Sequence, residues 1–185
     1  MSTTPQGAAA PRYDIDPAHT SAQFKVRHLM ISHVKGEFSK VGGHVVFDPQ
    51  NPAASSIDVT IDATSISTRE PQRDAHLKSA DFLDVEKFPR ITFRSTKIAS
   101  TGKDSYEAEG ELTIHGVTRT VKLDVEGVTP EAKDPWGFLR RGASASTAID
   151  RKDFGLVWNT ALETGGVMVG DQVQISIEVE LTRKA

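Results

Sequence analysis

The stretch YEAEGELTIHGVTRTVKLDVE, residues 106–126, determines the fold class. We take its His-Gly pair, residues 115–116, as a two-residue turn, which puts Ile114 opposite Val117. One face of the resulting hairpin carries Glu, Asp, Lys and Thr, and the other is mostly apolar or small. The second face consists of Tyr106, Ala108, Gly110, Leu112, Ile114, Val117, Arg119, Val121, Leu123 and Val125. The sequence therefore predicts an antiparallel hairpin with this second face turned toward a core.

Alternation of apolar and polar residues with a period of two recurs along the rest of the chain. It is clearest at residues 57–62 and 173–181, and it is noisier at 22–29, 36–47, 90–98 and 138–149. Gly, Pro, Asn and Asp separate these segments, as is typical of turns between strands. Together with the hairpin they make about eight strands, so we predict an all-β sandwich or barrel.

Residues 71–85 interrupt this alternation. Pro71 suits the first position of a helix, and Ser79 and Asp81 suit the cap of a second short turn carrying Phe82 and Val85. We predict one or two short helices in this segment.

The composition excludes several classes of function. A chain of 185 residues fits one domain, since a compact unit takes roughly 100–200 residues. Without cysteine there are no disulfides and no thiolate metal ligands. A formal net charge of -3 gives no general attraction to nucleic acid or to an anionic membrane surface. No run approaches the ~20 apolar residues of a membrane helix, so we expect no integral membrane segment.

We expect residues 1–12 to form a disordered tail and residues 13–185 to form the single domain. The tail consists mainly of Ser, Thr, Pro, Gln, Gly and Ala. It has neither the cationic start nor the apolar segment of a secretory signal, and we therefore expect a cytoplasmic protein.

The inward face of the hairpin is unusual for a filled core. Ala108 and Gly110 are small, Arg119 is charged, and residues 142–148 form another strand of small residues. A barrel of about eight strands is either filled by side chains or holds one small ligand, and small inward residues favour the ligand. Two alternatives stay open: Arg119 lies at the rim and reaches water, and the small strand packs against the helical segment.

Eight short runs extend this interpretation. In chain order they are YDIDPAHTSAQF (13–24), HLMIS (28–32), VKGEF (34–38), RDAHLKSADFLDVEKFP (73–89), ITFRS (91–95), GELTIHGVTR (110–119), RKDFG (151–155) and VGDQV (169–173). Taken together they resemble the YceI-like, polyisoprenoid-binding family. The resemblance implies an extended, antiparallel, eight-stranded, lipocalin-like β-barrel and a non-enzymatic protein. We predict no cofactor and no metal. Its ligand would be a polyisoprenoid, an isoprenoid quinone precursor or a fatty amphiphile, sequestered or transported in an apolar tunnel.

A tunnel for a hydrocarbon chain needs apolar walls and a few polar groups that fix a head group. The predicted wall residues are Phe24, Val26, Phe38, Phe93, Leu112, Ile114 and Val121, and the predicted lid or mouth residues are Phe82, Phe88 and Trp158. His28 shares a strand face with Phe24 and Val26, so we predict that His28 and Arg119 bind the head group.

Other functions are less well supported by the residues. A metal site at His28, His33 and His44 lacks any tight ligand spacing. A basic cluster at residues 69–90 is cancelled by interspersed acids, so nucleic acid is not an expected partner. An enzyme acting on a lipid inside the barrel, with His28 as acid-base residue and Arg119 as anion stabiliser, is the main alternative. A stress-related protein with an incidental cavity is another. The sequence does not name the ligand, and exposed edges are compatible with a symmetric homodimer.

Overall fold

The structure is a computed structural model and describes residues 10–185. Residues 1–9, most of the predicted tail, lie outside the described residues. The end of that tail takes part in the fold, because the Pro11 carbonyl accepts a hydrogen bond from the Phe47 amide (3.1 Å) and Arg12 begins the first strand.

Twelve strands and one α-helix lie in the described residues. The strands are β1 (Arg12–Ile15), β2 (Ser21–His28), β3 (Ser32–Phe38), β4 (Val41–Val46), β5 (Ser56–Asp62), β6 (Ile66–Ser67), β7 (Arg90–Gly102), β8 (Ser105–Ile114), β9 (Val117–Glu126), β10 (Ala132–Lys133), β11 (Phe138–Asp150) and β12 (Val169–Lys184). The helix is α1 (Pro71–Lys78), and 3₁₀ turns lie at Pro52–Ala54, Ala63–Ser65 and Arg151–Phe154.

The sheet closes into an eight-stranded antiparallel barrel, as predicted. The ring runs β11-β9-β8-β7-β5-β4-β1-β12, and β12 returns to β11 along the whole length of β11. Because β12 is longer than its pairing with β1, β2 pairs with the remaining part of the same edge, and β3 and β6 continue from β2. The closed ring encloses the inward faces of its strands.

The register predicted for residues 106–126 is confirmed. Tyr106 lies opposite Val125 and Ile114 lies opposite Val117, with every intermediate pair in phase. His115 and Gly116 both have positive φ, 53° and 72°, as a two-residue hairpin turn of the favoured hand requires.

The predicted strand at 36–47 is in fact two strands. The chain breaks between β3 and β4, where the Lys40 amide donates to Ser65 Oγ (3.1 Å) and the Lys40 carbonyl accepts from the Asp62 amide (3.0 Å). A side chain more than twenty residues away therefore fixes the break. No local pattern marks such a contact, and strands of two to four residues, such as β1 and β6, are equally hard to predict.

The helical segment contains one α-helix, and turns follow it in place of a second. Pro71 is the first helical residue, and the Glu70 carboxylate caps the helix by accepting from the amides of Gln72 and Arg73 (3.1 and 2.6 Å). Ser79 ends the helix, because its Oγ donates to the His76 carbonyl (2.7 Å). Among the described residues no helix is long and apolar enough to cross a membrane.

Candidate functional site

The interior of the barrel contains an apolar cavity, which we call the first chamber. Its volume is about 190 Å³, and side chains from β2, β5, β7, β8 and β12 line it. The predicted wall and lid residues that line it are Phe24, Val26, Phe38, Phe82, Phe93, Leu112 and Ile114. The structure therefore brings these seven together around one space.

A second cavity, the second chamber, lies further along the barrel and has a volume of about 100 Å³. The two chambers share the side chains of Val59, Ile61, Leu123 and Ile177 as walls. The second chamber continues between β1, β4, β8 and β11, past residues such as Phe47. The apolar interior thus extends along the barrel in two adjacent parts.

The small residues of β11 leave much of this space. Ala143 and Ala145 line the second chamber, and Thr147 and Ile149 on the same face line the first. Gly110 differs, because a Cβ there would lie 2.6 Å from the Phe93 ring, so this ring already fills the space that Gly110 leaves. The small residues therefore make room for a ligand along β11 but not at Gly110.

The segment after β6 covers the first chamber. Leu77 of α1 and the following Phe82 and Leu83 face into it. On the outside, Trp158 packs edge-on against the His76 ring (4.7 Å between centroids) and also contacts Phe82 (5.3 Å). We call this end of the barrel, together with the turn between β2 and β3, the mouth.

Arg151, at the mouth, is the polar residue that sequence reasoning missed. Its side chain is 3% exposed and lines the first chamber. Its Nε donates to the Gly170 carbonyl (2.8 Å), and its Nη1 donates to the carbonyls of Leu156 (2.5 Å) and Trp158 (2.9 Å). Burial lowers the pKa of Arg151, because desolvation disfavours the charged form, while nearby Asp171 opposes the shift. Its position in the run RKDFG was the only available signal.

Arg141 closes the opposite end of the second chamber. Its guanidinium lies over the rings of Tyr13 (5.7 Å) and Phe47 (5.3 Å), and its Nε donates to the Tyr13 hydroxyl (3.0 Å). Its Nη1 donates to the Thr129 carbonyl (2.8 Å). These contacts satisfy the charge and hold the side chain across the end of the cavity.

The family model described as the YceI-like domain matches residues 13–181. The chain belongs to the YceI-like family. A UPF0312 protein of Vibrio cholerae is 41% identical over 154 residues, covering 82% of this chain and 81% of the relative.

Two solved structures have the same YceI-like barrel. The crystal structure of Burkholderia cenocepacia BcnA matches with a TM-score of 0.79 at 26% identity, over 90% of this chain and 98% of that one. A polyisoprenoid binding domain from Saccharophagus degradans, implicated in plant cell wall breakdown, matches with a TM-score of 0.65 at 13% identity, over 91% of this chain and 97% of that one. The second likeness concerns the fold alone.

The two residues predicted to bind a head group do not line either chamber of this YceI-like barrel. Arg119 lies opposite Leu112, on the predicted face, but it is exposed at the rim and donates to the neighbouring Thr118 carbonyl (3.0 Å). His28 is half-buried at the end of β2, where it pairs with Val169. Both are at strand ends, beyond the cavity that their strands enclose.

Three more of the predicted residues also lie outside the chambers. Val121 is half-buried and packs against the core, where it faces Gly110. Phe88 packs against His115 (4.8 Å between ring centroids) and covers the hairpin turn. Trp158 lies at the mouth but contacts Phe82 and not the cavity. Residue type alone did not distinguish these positions from the residues that line the chambers.

Few polar side chains line the chambers. In the part of the chain that the structure describes, they are Gln23, Thr147 and Arg151 in the first chamber, and Thr20, Ser55, Tyr106 and Arg141 in the second. No described His, Asp or Glu lines either chamber.

One cluster of possible metal ligands lies outside the chambers. Asp16, His19 and Glu180 bring their ligand atoms within 4.8 Å of one another. Arg140 occupies this cluster, since its Nη1 donates to Asp16 (2.7 Å) and to Glu180. The cluster is therefore an ion-pair network in which a guanidinium supplies the positive charge.

Proposed function

We propose that this protein encloses a long-chain amphiphile in its barrel and carries or stores it without chemical change. The ligand class is a polyisoprenoid, an isoprenoid quinone precursor or a related fatty amphiphile. The observation that carries the proposal is the pair of apolar chambers that share four wall residues inside a closed barrel. A flexible hydrocarbon chain fits two adjacent apolar spaces along one barrel better than a compact polar metabolite does.

Burial of hydrocarbon supplies the affinity. Each CH₂ removed from water contributes about 0.8 kcal/mol, so a chain that fills both chambers binds without many hydrogen bonds. The name of the Saccharophagus degradans domain, which shares this fold, supports a polyisoprenoid as the class of ligand.

The surface that the described residues present inside both chambers is apolar. The guanidinium groups of Arg151 and Arg141 lie at the two ends, where they donate to backbone carbonyls and to the Tyr13 hydroxyl. The hydrocarbon chain therefore occupies the chambers, and a polar head group lies outside them.

The set of side chains that line the chambers supports a binding protein over an enzyme. General acid-base catalysis needs a titratable group within hydrogen-bond reach of the substrate, and the chambers have no His, Asp or Glu among the described residues. His28, the acid-base candidate of the enzyme alternative, lies outside them. The proposal includes a cytoplasmic location, which fractionation of cells expressing the full chain checks.

Solvent extraction of the natively purified protein, followed by mass spectrometry, tests the proposal. We expect a stoichiometric prenyl or fatty species in the extract. Ala145→Leu places a larger side chain in the second chamber, so we expect it to retain shorter chains than the parent. Ala148→Leu is the matched control, because Ala148 is exposed on the other face of the same strand. An empty extract from the parent, repeated after incubation with cell lipids, would overturn the proposal.

A further inference from the structure

The turn between β2 and β3 presents apolar side chains to solvent at the mouth. Met30 is 45% exposed and Ile31 is 82% exposed. Solvent-exposed turns normally carry polar residues or glycine. Two adjacent apolar side chains at the tip of a hairpin are therefore a feature that folding alone does not require.

The backbone of this turn makes the choice of residues more unusual. Leu29 and Met30 have φ values of 52° and 62°, in the left-handed region that favours Gly, Asn and Asp. The Arg27 guanidinium holds the turn by donating to the Met30 carbonyl, at 2.7 Å from Nη2 and 3.1 Å from Nε. The chain thus keeps large apolar side chains where an Asn-Gly pair would fit with less strain.

The strands below the tip carry an excess of positive charge, although Glu37 lies on the same face further from the tip. Lys25 lies directly opposite Lys35, and Arg27 lies opposite His33. No Asp or Glu occurs between Asp16 and Glu37. Within residues 10–185, the three cations at 25, 27 and 35 form no ion pair. Like charges placed opposite each other destabilise a sheet. An anionic partner bound at these cations would relieve their repulsion, so the arrangement favours such a partner.

The hairpin also forms part of the first chamber. Phe24 and Val26 line the chamber from the other face of β2. At the tip, the Leu29 amide donates to the Met168 carbonyl (2.8 Å), next to Val169 in the chamber wall. Whatever contacts the tip therefore lies beside the wall of the first chamber.

We propose that this hairpin docks the mouth onto an anionic lipid surface, with Met30 and Ile31 inserted at the interface and Lys25, Arg27 and Lys35 facing the head groups. The inference rests on the proposed function, because docking brings the entrance of the chamber to the membrane that holds the amphiphile. Apolar side chains flanked by basic residues are the combination that binds an anionic bilayer surface.

The charge of the hairpin argues for lipid over a second copy of this chain. A symmetric dimer through this hairpin would bring the same cations of two copies together, which their repulsion opposes.

Vesicle co-sedimentation of the full-length protein tests the inference. We expect binding to vesicles of equal parts phosphatidylcholine and phosphatidylglycerol, and little binding to phosphatidylcholine alone. Lys25→Gln combined with Lys35→Gln is expected to weaken that binding about tenfold or more. Met30→Ser combined with Ile31→Ser is expected to abolish insertion of the hairpin tip. The measurement is the fraction of protein that stays bound to the vesicles at high salt, which we expect this variant to lose. Arg27 is left unchanged because it holds the turn.

Lys103→Gln and Trp136→Ser, at the opposite end of the barrel, are the matched controls and are expected to bind as the parent does. Equal binding by the parent and both hairpin variants would overturn the inference. A second result would also overturn it: no vesicle binding by the parent or by the Met30/Ile31 variant, together with light scattering that shows a dimer for the parent and a monomer for the variant. Extraction of the same preparations separates the two proposals, because hairpin variants that bind no vesicles still contain the amphiphile if the proposed function is right.

Discussion

At the scale of the residue, Arg151 links the mouth to the chamber. A single guanidinium donates to the carbonyls of Leu156, Trp158 and Gly170, and so fixes the loop between β11 and β12. The interaction is a buried one, in which the carbonyls have been removed from water. The same side chain therefore stabilises the covering loop and lines the cavity.

Replacing this arginine is expected to destabilise the fold. Arg151→Met is predicted to lower the free energy of unfolding by about 2–4 kcal/mol, because each buried carbonyl left unpaired costs about 1–3 kcal/mol and the loop relaxes to rehydrate some of them. Lys152→Met is the control, since the Lys152–Asp171 ion pair is exposed and contributes at most about 1 kcal/mol. Urea unfolding measures both, and equal effects of the two substitutions would contradict the role of Arg151.

Asp16 is a second residue with a measurable role. Hydrogen bonds from Arg140 and then His19 lower the pKa of Asp16 from 3.8 to about 2. A carboxylate with a lowered pKa in the folded state contributes stability above its unfolded pKa and loses it as the pH falls through the folded value. The contribution of Asp16 is therefore complete above about pH 4 and lost between about pH 4 and 2.

Asp16→Asn removes this contribution. The variant is expected to be less stable than the parent at pH 7, and the difference is expected to shrink as the pH approaches 2. Urea midpoints across that range measure it. Asp14→Asn serves as a control because Asp14 is exposed and its ion pair with Arg12 is long (3.7 Å). A constant difference between Asp16→Asn and the parent at all pH values would show that the carboxylate charge does not matter.

At the scale of the element, the sequence pattern predicted on which face of a strand each residue lies, but not which side chains from other strands pack against it. The β8–β9 hairpin has the predicted register because two-residue periodicity and the turn are local properties. The space beside Gly110 depends on the Phe93 ring from β7, a strand whose register the hairpin sequence does not contain. For the same reason the hairpin pattern predicted the face on which Arg119 lies but left its depth open, since depth depends on where neighbouring strands end.

Substitution of glycine by alanine is expected to have opposite effects on stability at Gly110 and at Gly42. In Gly110→Ala the new Cβ would lie 2.5 Å from the Arg94 carbonyl oxygen and 2.6 Å from the Phe93 ring. The backbone cannot easily move away, so a loss of about 1–3 kcal/mol is expected. Gly42→Ala meets nothing within 4 Å, and we expect it to be neutral or to stabilise the fold by up to about 1 kcal/mol. Thermal unfolding checks both signs, and a stable Gly110→Ala variant would mean that Phe93 rearranges into the chamber.

At the scale of the whole molecule, the barrel combines a closed ring with an incompletely filled interior. Closure removes the free edges of the ring, which would otherwise pair with other chains. Side chains that face the two chambers make fewer van der Waals contacts than they would in a filled barrel, because there are no neighbouring atoms on that side. A bound hydrocarbon chain restores those contacts, so ligand binding and stability are coupled.

This coupling predicts how thermal stability depends on the length of the ligand chain. A ligand at one hundred times its Kd stabilises the native state by about 2.7 kcal/mol, which corresponds to a rise in Tm of roughly 5–10 °C for a domain of this size. A prenol short enough to occupy only the first chamber leaves the second empty, whereas a longer one fills both. At equal concentrations, Tm of the delipidated protein is therefore expected to rise with prenol length until both chambers are filled, and then to level off. Differential scanning calorimetry with a graded series of prenols measures this dependence. A rise in Tm independent of chain length would mean that the second chamber takes no part in binding.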